Sequence, residues 1–149
     1  MSSLILTQIE ADALIALEKF HSQTQHYTFP QNGEKIVVPL ASNDGRENFL
    51  LDVQRGRIAL NKVTFQKRGR QTIVLVRLDI GGPPHRNPND EEISCPHIHL
   101  YREGYGDKWA EPISSQYFSK PDDLSITLDD FMSFCNIVRR PIIQRGLFT

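Results

Sequence analysis

Residues 95–109 read Cys-Pro-His-Ile-His-Leu-Tyr-Arg-Glu-Gly-Tyr-Gly-Asp-Lys-Trp, a dense run of side chains able to move protons, hold ions or stack. Successive side chains on an extended strand point to opposite faces. His97, His99, Tyr101 and Glu103 therefore share one row, with Ile98 and Leu100 buried behind it. Two imidazoles that titrate near neutral pH suit the acid and base of metal-independent RNA cleavage. One removes the 2′-hydroxyl proton, the other protonates the leaving 5′-oxygen, and a fixed cation stabilises the charged phosphorane. In this reading His97 and His99 are the acid–base pair, and Tyr101 and Lys108 position or stabilise the phosphate. His85 and Arg102 add substrate contacts, although Arg102 faces away from the row on an ideal strand. Tyr105 and Trp109 offer flat surfaces on which an unpaired base can stack.

Charge is distributed to the same end. Residues 54–78 contain no acidic side chain but seven basic ones: Arg55, Arg57, Lys62, Lys67, Arg68, Arg70 and Arg77. The whole chain carries a net −1, so this block of +7 leaves −8 on the remainder. One basic block on an acidic protein is the footprint expected for RNA or another polyanion.

The elements that must position these residues follow from pattern. Thr7 and Glu10 form a capping box, and Ile9, Ala13, Leu17 and Phe20 recur at helical spacing, which predicts a helix over 8–22. Strands are expected over 34–40, 48–53, 57–66 and 71–80, with turns at Asn43-Asp44-Gly45, Gln54-Arg55-Gly56 and Lys67-Arg68-Gly69-Arg70. Gly81-Gly82-Pro83-Pro84 opens a long loop before the histidine strand at 95–103. A last helix starts after Thr127, with Phe131, Phe134, Cys135 and Val138 on one face and Pro141 ending it. The expected fold is α+β: a single domain over 1–149, with an antiparallel meander of about five strands packed against an N-terminal and a C-terminal helix.

The same row can be read as a metal site. His97 and His99 lie about 6.6 Å apart along a strand, close enough for both imidazoles to reach one ion. His-x-His-x-x-x-Glu resembles the first metal motif of cupins, but Glu91 and Ala110 stand where that motif has glycines, and no histidine follows His99. Further ligands would come from His85 or Asp107. Cys95 is a poor nucleophile candidate, since Pro96 follows it and no helix N-terminus is near to lower its pKa. Cys135 falls on an apolar stripe and reads as core.

The long motif, preceded by Leu-Asp-Ile-Gly-Gly-Pro-Pro-His, resembles the signature of a group of small uncharacterised bacterial and prophage-associated proteins. That resemblance implies a mobile-element setting, in which small proteins act as toxins, antitoxins or host-directed inhibitors. The expectation drawn here is an RNA-binding cytoplasmic protein, a candidate endoribonuclease of the toxin type. It needs no cofactor: no nucleotide-binding glycine motif is present. A cognate antitoxin or a host protein is a further expected partner. The alternatives are a non-enzymatic inhibitor of a host protein and a metal-binding domain built on the His-x-His strand. No apolar run approaches the ~20 residues of a membrane-spanning helix, no secretion signal is read, and two cysteines make no disulfide framework.

Overall fold

The computed structural model describes residues 5–56 and 62–145. Helix α1 (Gln8–Ala16) starts at the expected capping box, in which Thr7 Oγ1 accepts the Glu10 N–H and Glu10 Oε1 accepts the Thr7 N–H. It stops six residues short of the expected end because Leu17 turns extended. The following residues form strand β1 (Lys19–Phe20). The anticipated apolar stripe is therefore not the buried one. Ile9 is 83% exposed, and Ala11 and Leu14 pack inward.

A short strand β2 (Tyr27–Thr28) leads into the meander of β3 (Lys35–Ala41), β4 (Asn48–Arg55), β5 (Val63–Gly69) and β6 (Ile73–Ile80). Gly45 has φ +75° and closes the first turn, where its N–H donates to Ser42 O. The last hairpin turns later than expected: β5 runs through Gly69, and Arg70 and Gln71 take positive φ. Of the strand expected over 57–66, residues 57–61 lie outside the described residues. The 81–95 loop carries a small hairpin, β7 (His85–Arg86) with β8 (Glu92–Ile93). Then come β9 (His97–Leu100), β10 (Ala110–Pro112), α2 (Leu124–Phe134), β11 (Ile137–Arg139) and β12 (Ile143–Gln144), the last pairing with β2.

The fold is α+β, as expected, but the sheet has eight strands rather than about five, in the order β10-β9-β6-β5-β4-β3-β1-β11. It is antiparallel except where β1 runs parallel to β11. The added strands, β1, β10 and β11, are two or three residues long, too short to leave a periodic signal. Helix α2 starts at Asp123, whose side chain accepts the Ile126 N–H, rather than at Thr127. The Thr127 hydroxyl sits beside the Lys120 and Asp123 carbonyls instead. The helix ends at Phe134, so Val138 falls on a strand and is half exposed, ahead of any effect from Pro141. No described helix is long and apolar enough to cross a membrane.

The two faces of the sheet differ because side chains alternate. One face presents Leu51, Val53, Val63, Phe65 and Leu78 to a core that α2 closes, with the Phe131 ring 5.9 Å from Phe65. The other face presents polar residues at successive cross-strand positions. Asp52 stands opposite Gln66, Thr64 opposite Asp79, Gln66 opposite Arg77, Arg77 opposite His99, and Asp79 opposite His97. The 81–95 loop is fastened over this second face by Asn87, which is buried. Its side-chain amide donates to Ala110 O at 2.9 Å and its carbonyl accepts the Ala110 N–H at 2.8 Å. Asn87→Ala leaves both Ala110 groups buried without partners, so urea unfolding should show a loss of about 2 kcal/mol.

Candidate functional site

Strands β6 and β9 bring Arg77, Asp79, His97 and His99 together on the polar face. His97 is 2% exposed and His99 not at all. Their Nδ1 atoms face main-chain carbonyls: Ser94 O at 3.3 Å from His97, and Asp107 O at 2.8 Å from His99. For His99 the Asp107 carbonyl, which only accepts, places the ring proton on Nδ1 and the lone pair on Nε2. His97 has an acceptor at each nitrogen, and in the metal-free chain its neutral ring donates to the charged one, Asp79, through Nε2. For His99 a second contact agrees, since Arg77 Nη2, a pure donor, lies 3.0 Å from that Nε2. Both Nε2 atoms then point at the same carboxylate oxygen, Asp79 Oδ2, each at 3.2 Å.

The His99 lone pair and the carboxylate oxygen repel one another unless a positive charge lies between them. Arg77 supplies part of it through Nε, 3.2 Å from Asp79 Oδ2, while its Nη1 donates to Asp107 Oδ2 at 2.9 Å. Thr64 Oγ1 donates to the other Asp79 oxygen at 2.9 Å. Burial pushes the Asp79 carboxyl up, but contacts with His99, Arg77 and Thr64 outweigh it and hold the group well below the usual carboxylate range. Burial, the largest influence on His97, pushes its imidazole down despite the Asp79 charge, so the neutral ring is favoured. His97 Nε2 therefore faces a carboxylate with no guanidinium contact of its own.

The remaining site residues of the sequence reading fall in several places. His85 lies over the pair, its ring centroid 4.6 Å from His99 and 5.9 Å from His97, and its Nε2 reaches Lys108 O at 2.7 Å. Lys108 is otherwise exposed and meets the cluster through that carbonyl. Tyr101 leaves the row: it is buried in the core, where its hydroxyl accepts the Leu6 N–H and donates to Leu6 O. Glu103 also leaves it, accepting the Gln8 N–H at the start of α1. Arg102 turns to Trp109, with its guanidinium 4.2 Å from the ring centroid, and Tyr105 meets that ring edge-on. One face of the expected stacking platform is thereby covered by the chain's own arginine.

The basic block does not form one cationic surface. Lys67 is fully buried on the core side of β5, where no polyanion can reach it. Arg68 grips Asp52 through Nε at 2.6 Å and Nη2 at 2.9 Å, and Arg70 pairs with Glu47. Arg77 is held by Asp79 and Asp107, and Arg55 lies 6.0 Å from the Phe29 ring. Arg57 lies outside the described residues. Of the six that are described, Lys62 alone is both exposed and on the wall of the cleft beside the histidines.

That cleft, about 380 Å³, opens between the start of β5 and the 81–85 loop, with Asp79, His85, Cys95 and His97 among its walls. The Cys95 thiol, pushed up by burial, lies 3.6 Å from His97 Nδ1 and 3.5 Å from Asp79 O. A thiol held protonated by its surroundings is a weak nucleophile. The sequence reading missed Asp79. Its signal was present as the Arg77-x-Asp79 alternation on an otherwise apolar strand, which places both on one face.

Residues 6–137 match a protein family described as a family of unknown function, DUF6978. The chain belongs to that family. Every residue of the cluster and of the cleft falls inside the stretch that matches DUF6978. This agrees with the resemblance to uncharacterised proteins drawn from the 95–109 motif, at the level of an uncharacterised family. No curated protein and no solved structure matches this DUF6978 chain.

Proposed function

We propose that this DUF6978 protein binds a divalent metal ion of the zinc class through Asp79, His97 and His99, and uses it for hydrolysis in the adjoining cleft. The observation that carries the proposal is the shared target of the two rings: both Nδ1 atoms face carbonyls, and both Nε2 atoms meet one Asp79 oxygen. Metal-bound histidines characteristically donate their other ring N–H to a carbonyl or carboxylate, which orients the ring. Ligands about 2.1 Å from a tetrahedral ion stand about 3.4 Å from one another. The 3.2 Å separations of each Nε2 from Asp79 Oδ2 are close to that spacing. Two histidines and one carboxylate leave a position for water, as catalytic rather than structural zinc sites do. An ion there would supply a Lewis acid and lower the pKa of the bound water.

This reading replaces the expectation of a cofactor-free site. It is favoured over acid–base cleavage because neither His97 nor His99 has a ring nitrogen left to meet a substrate proton. RNA cleavage in excess EDTA, lost in the His97→Ala/His99→Ala variant, would contradict the metal reading and restore the acid–base one.

Arg77 is the ion's internal competitor, since its guanidinium holds the acceptors a metal would take. Asp107 gives it a second partner to keep. Arg77→Met should therefore tighten zinc binding by at least about tenfold, because a unit charge is removed within a few ångströms of the ion. Competition against a chelating dye reads this directly, and unchanged or weaker binding would count against the assignment.

A further inference from the structure

Lys62 stands apart from the rest of the basic block. Among the described residues of that block, Lys67 is buried, Arg68, Arg70 and Arg77 pair with carboxylates and Arg55 lies against Phe29. Lys62 instead is exposed on the cleft wall, its Cε 3.5 Å from where a Cβ on Gly82 would lie. The alkyl chain thus runs along the backbone of the loop that roofs the cleft. Asp79 is the single carboxylate among the cleft's described walls, and Thr64, Gln54 and Gln66 are its neutral polar groups. Once Asp79 is committed to a metal ion and Arg77 to Asp107, the divalent centre keeps a net positive charge, and Lys62 stands beside it as the exposed cation of the cleft's described walls. An anionic ligand complements that arrangement. Among the described residues of the block, Arg68, Arg70 and Lys67 are withdrawn from the cleft, and the cations left there span one anionic group.

We propose that the cleft binds the single phosphate group of a phosphate ester, with Lys62 as its cationic contact beside the metal centre. This rests on the metal reading above. Hydrolysis would form a bond from the water oxygen to phosphorus and break the bond from phosphorus to the ester oxygen. One water proton leaves with the alcohol, the other stays on the released phosphate, and nothing is oxidised or reduced.

Cobalt(II) tests both layers, because its visible absorption reports the ligands around it. Cobalt is titrated into metal-free protein, and inorganic phosphate is then titrated into the loaded protein. The expected result is a saturable change of the cobalt spectrum with phosphate, weakened at least about tenfold by Lys62→Glu, the worth of one charge-assisted contact. Cobalt affinity should not fall in that variant, and Lys62→Gln should lie between it and wild type in phosphate affinity. Failure to bind cobalt would overturn the metal reading itself. Cobalt binding without a response to phosphate, or a response that ignores Lys62→Glu, would overturn the phosphate assignment and leave the metal site standing. A short RNA oligomer that binds far more tightly than phosphate, with a steep salt dependence, would also overturn the single-phosphate assignment.

Discussion

Lys67→Met should make the protein more stable, by about 2 kcal/mol or more, raising the melting temperature by roughly 4–8 °C. Lys67 stands on the core face of β5 between Leu51 and Val76, fully buried, and its Nζ has no hydrogen-bond partner. The neighbouring buried lysine, Lys19, is different: its Nζ donates to the carbonyls of Ile15, Leu17 and Cys135. Both ammonium groups lie over the Phe49 ring, at 4.9 Å and 5.4 Å, so the two charges compete for one place. Burial and the charge of its neighbour push the Lys19 amine down to about 6, and burial lowers Lys67 as well. Lys19 has the three carbonyl acceptors, so the neutral amine is assigned to Lys67. Methionine keeps the length of the side chain and removes the orphaned donor.

The pH dependence has a definite sign. The folded pKa of Lys67 is depressed below its unfolded value, so the unfolded chain binds more protons in the window between them. Stability contributed by this residue therefore rises with pH through that window, by about 1.4 kcal/mol for each pH unit the window spans, and levels off above the ordinary lysine pKa. Lys67→Met should flatten that alkaline rise. A variant less stable than wild type, or one with the same slope, would mean that Lys67 holds a charge the core accommodates.

Asp79→Asn should produce the second large effect. The side chain accepts from Thr64 and Arg77 and faces both imidazoles, yet keeps 22% exposure. Arg77 retains Asp107, so the metal-free protein should lose roughly 2 kcal/mol, less than a fully buried charge would cost. The effect on metal should be larger. Removing a residue that merely orients a ligand costs about 10–100-fold in affinity, so removing a ligand charge should exceed that range. Urea unfolding separates the two effects. Wild type in zinc at a hundred times its dissociation constant should gain about 2.7 kcal/mol, and Asp79→Asn at the same zinc concentration less than about 0.4 kcal/mol. An equal gain in both would remove Asp79 from the site.

The histidine strand, the meander and both helices were legible because each rests on a local period or a cap. His97 and His99 emerged as one cluster because strand alternation alone places them on one face. Tyr101 and Glu103 were lost from it because β9 ends at Leu100, and the Gly104 and Gly106 turn takes both residues toward α1. A count of basic residues could not distinguish Lys67, which faces the core, from Arg68, which faces Asp52, because facing depends on where a strand begins. The Arg77-x-Asp79 alternation marks a polar face on β6, but that this face meets the histidines follows only from the long-range β6–β9 register.

The central claim is tested most directly by metal uptake. The protein is stripped with EDTA, dialysed against zinc, and its bound metal measured by atomic emission. His97→Ala/His99→Ala is taken through the same steps after its circular dichroism has been matched to wild type. The metal reading predicts a single tightly held zinc ion in the wild-type chain and none in the variant. A wild-type chain that takes up no zinc, or a variant that holds as much, would contradict it.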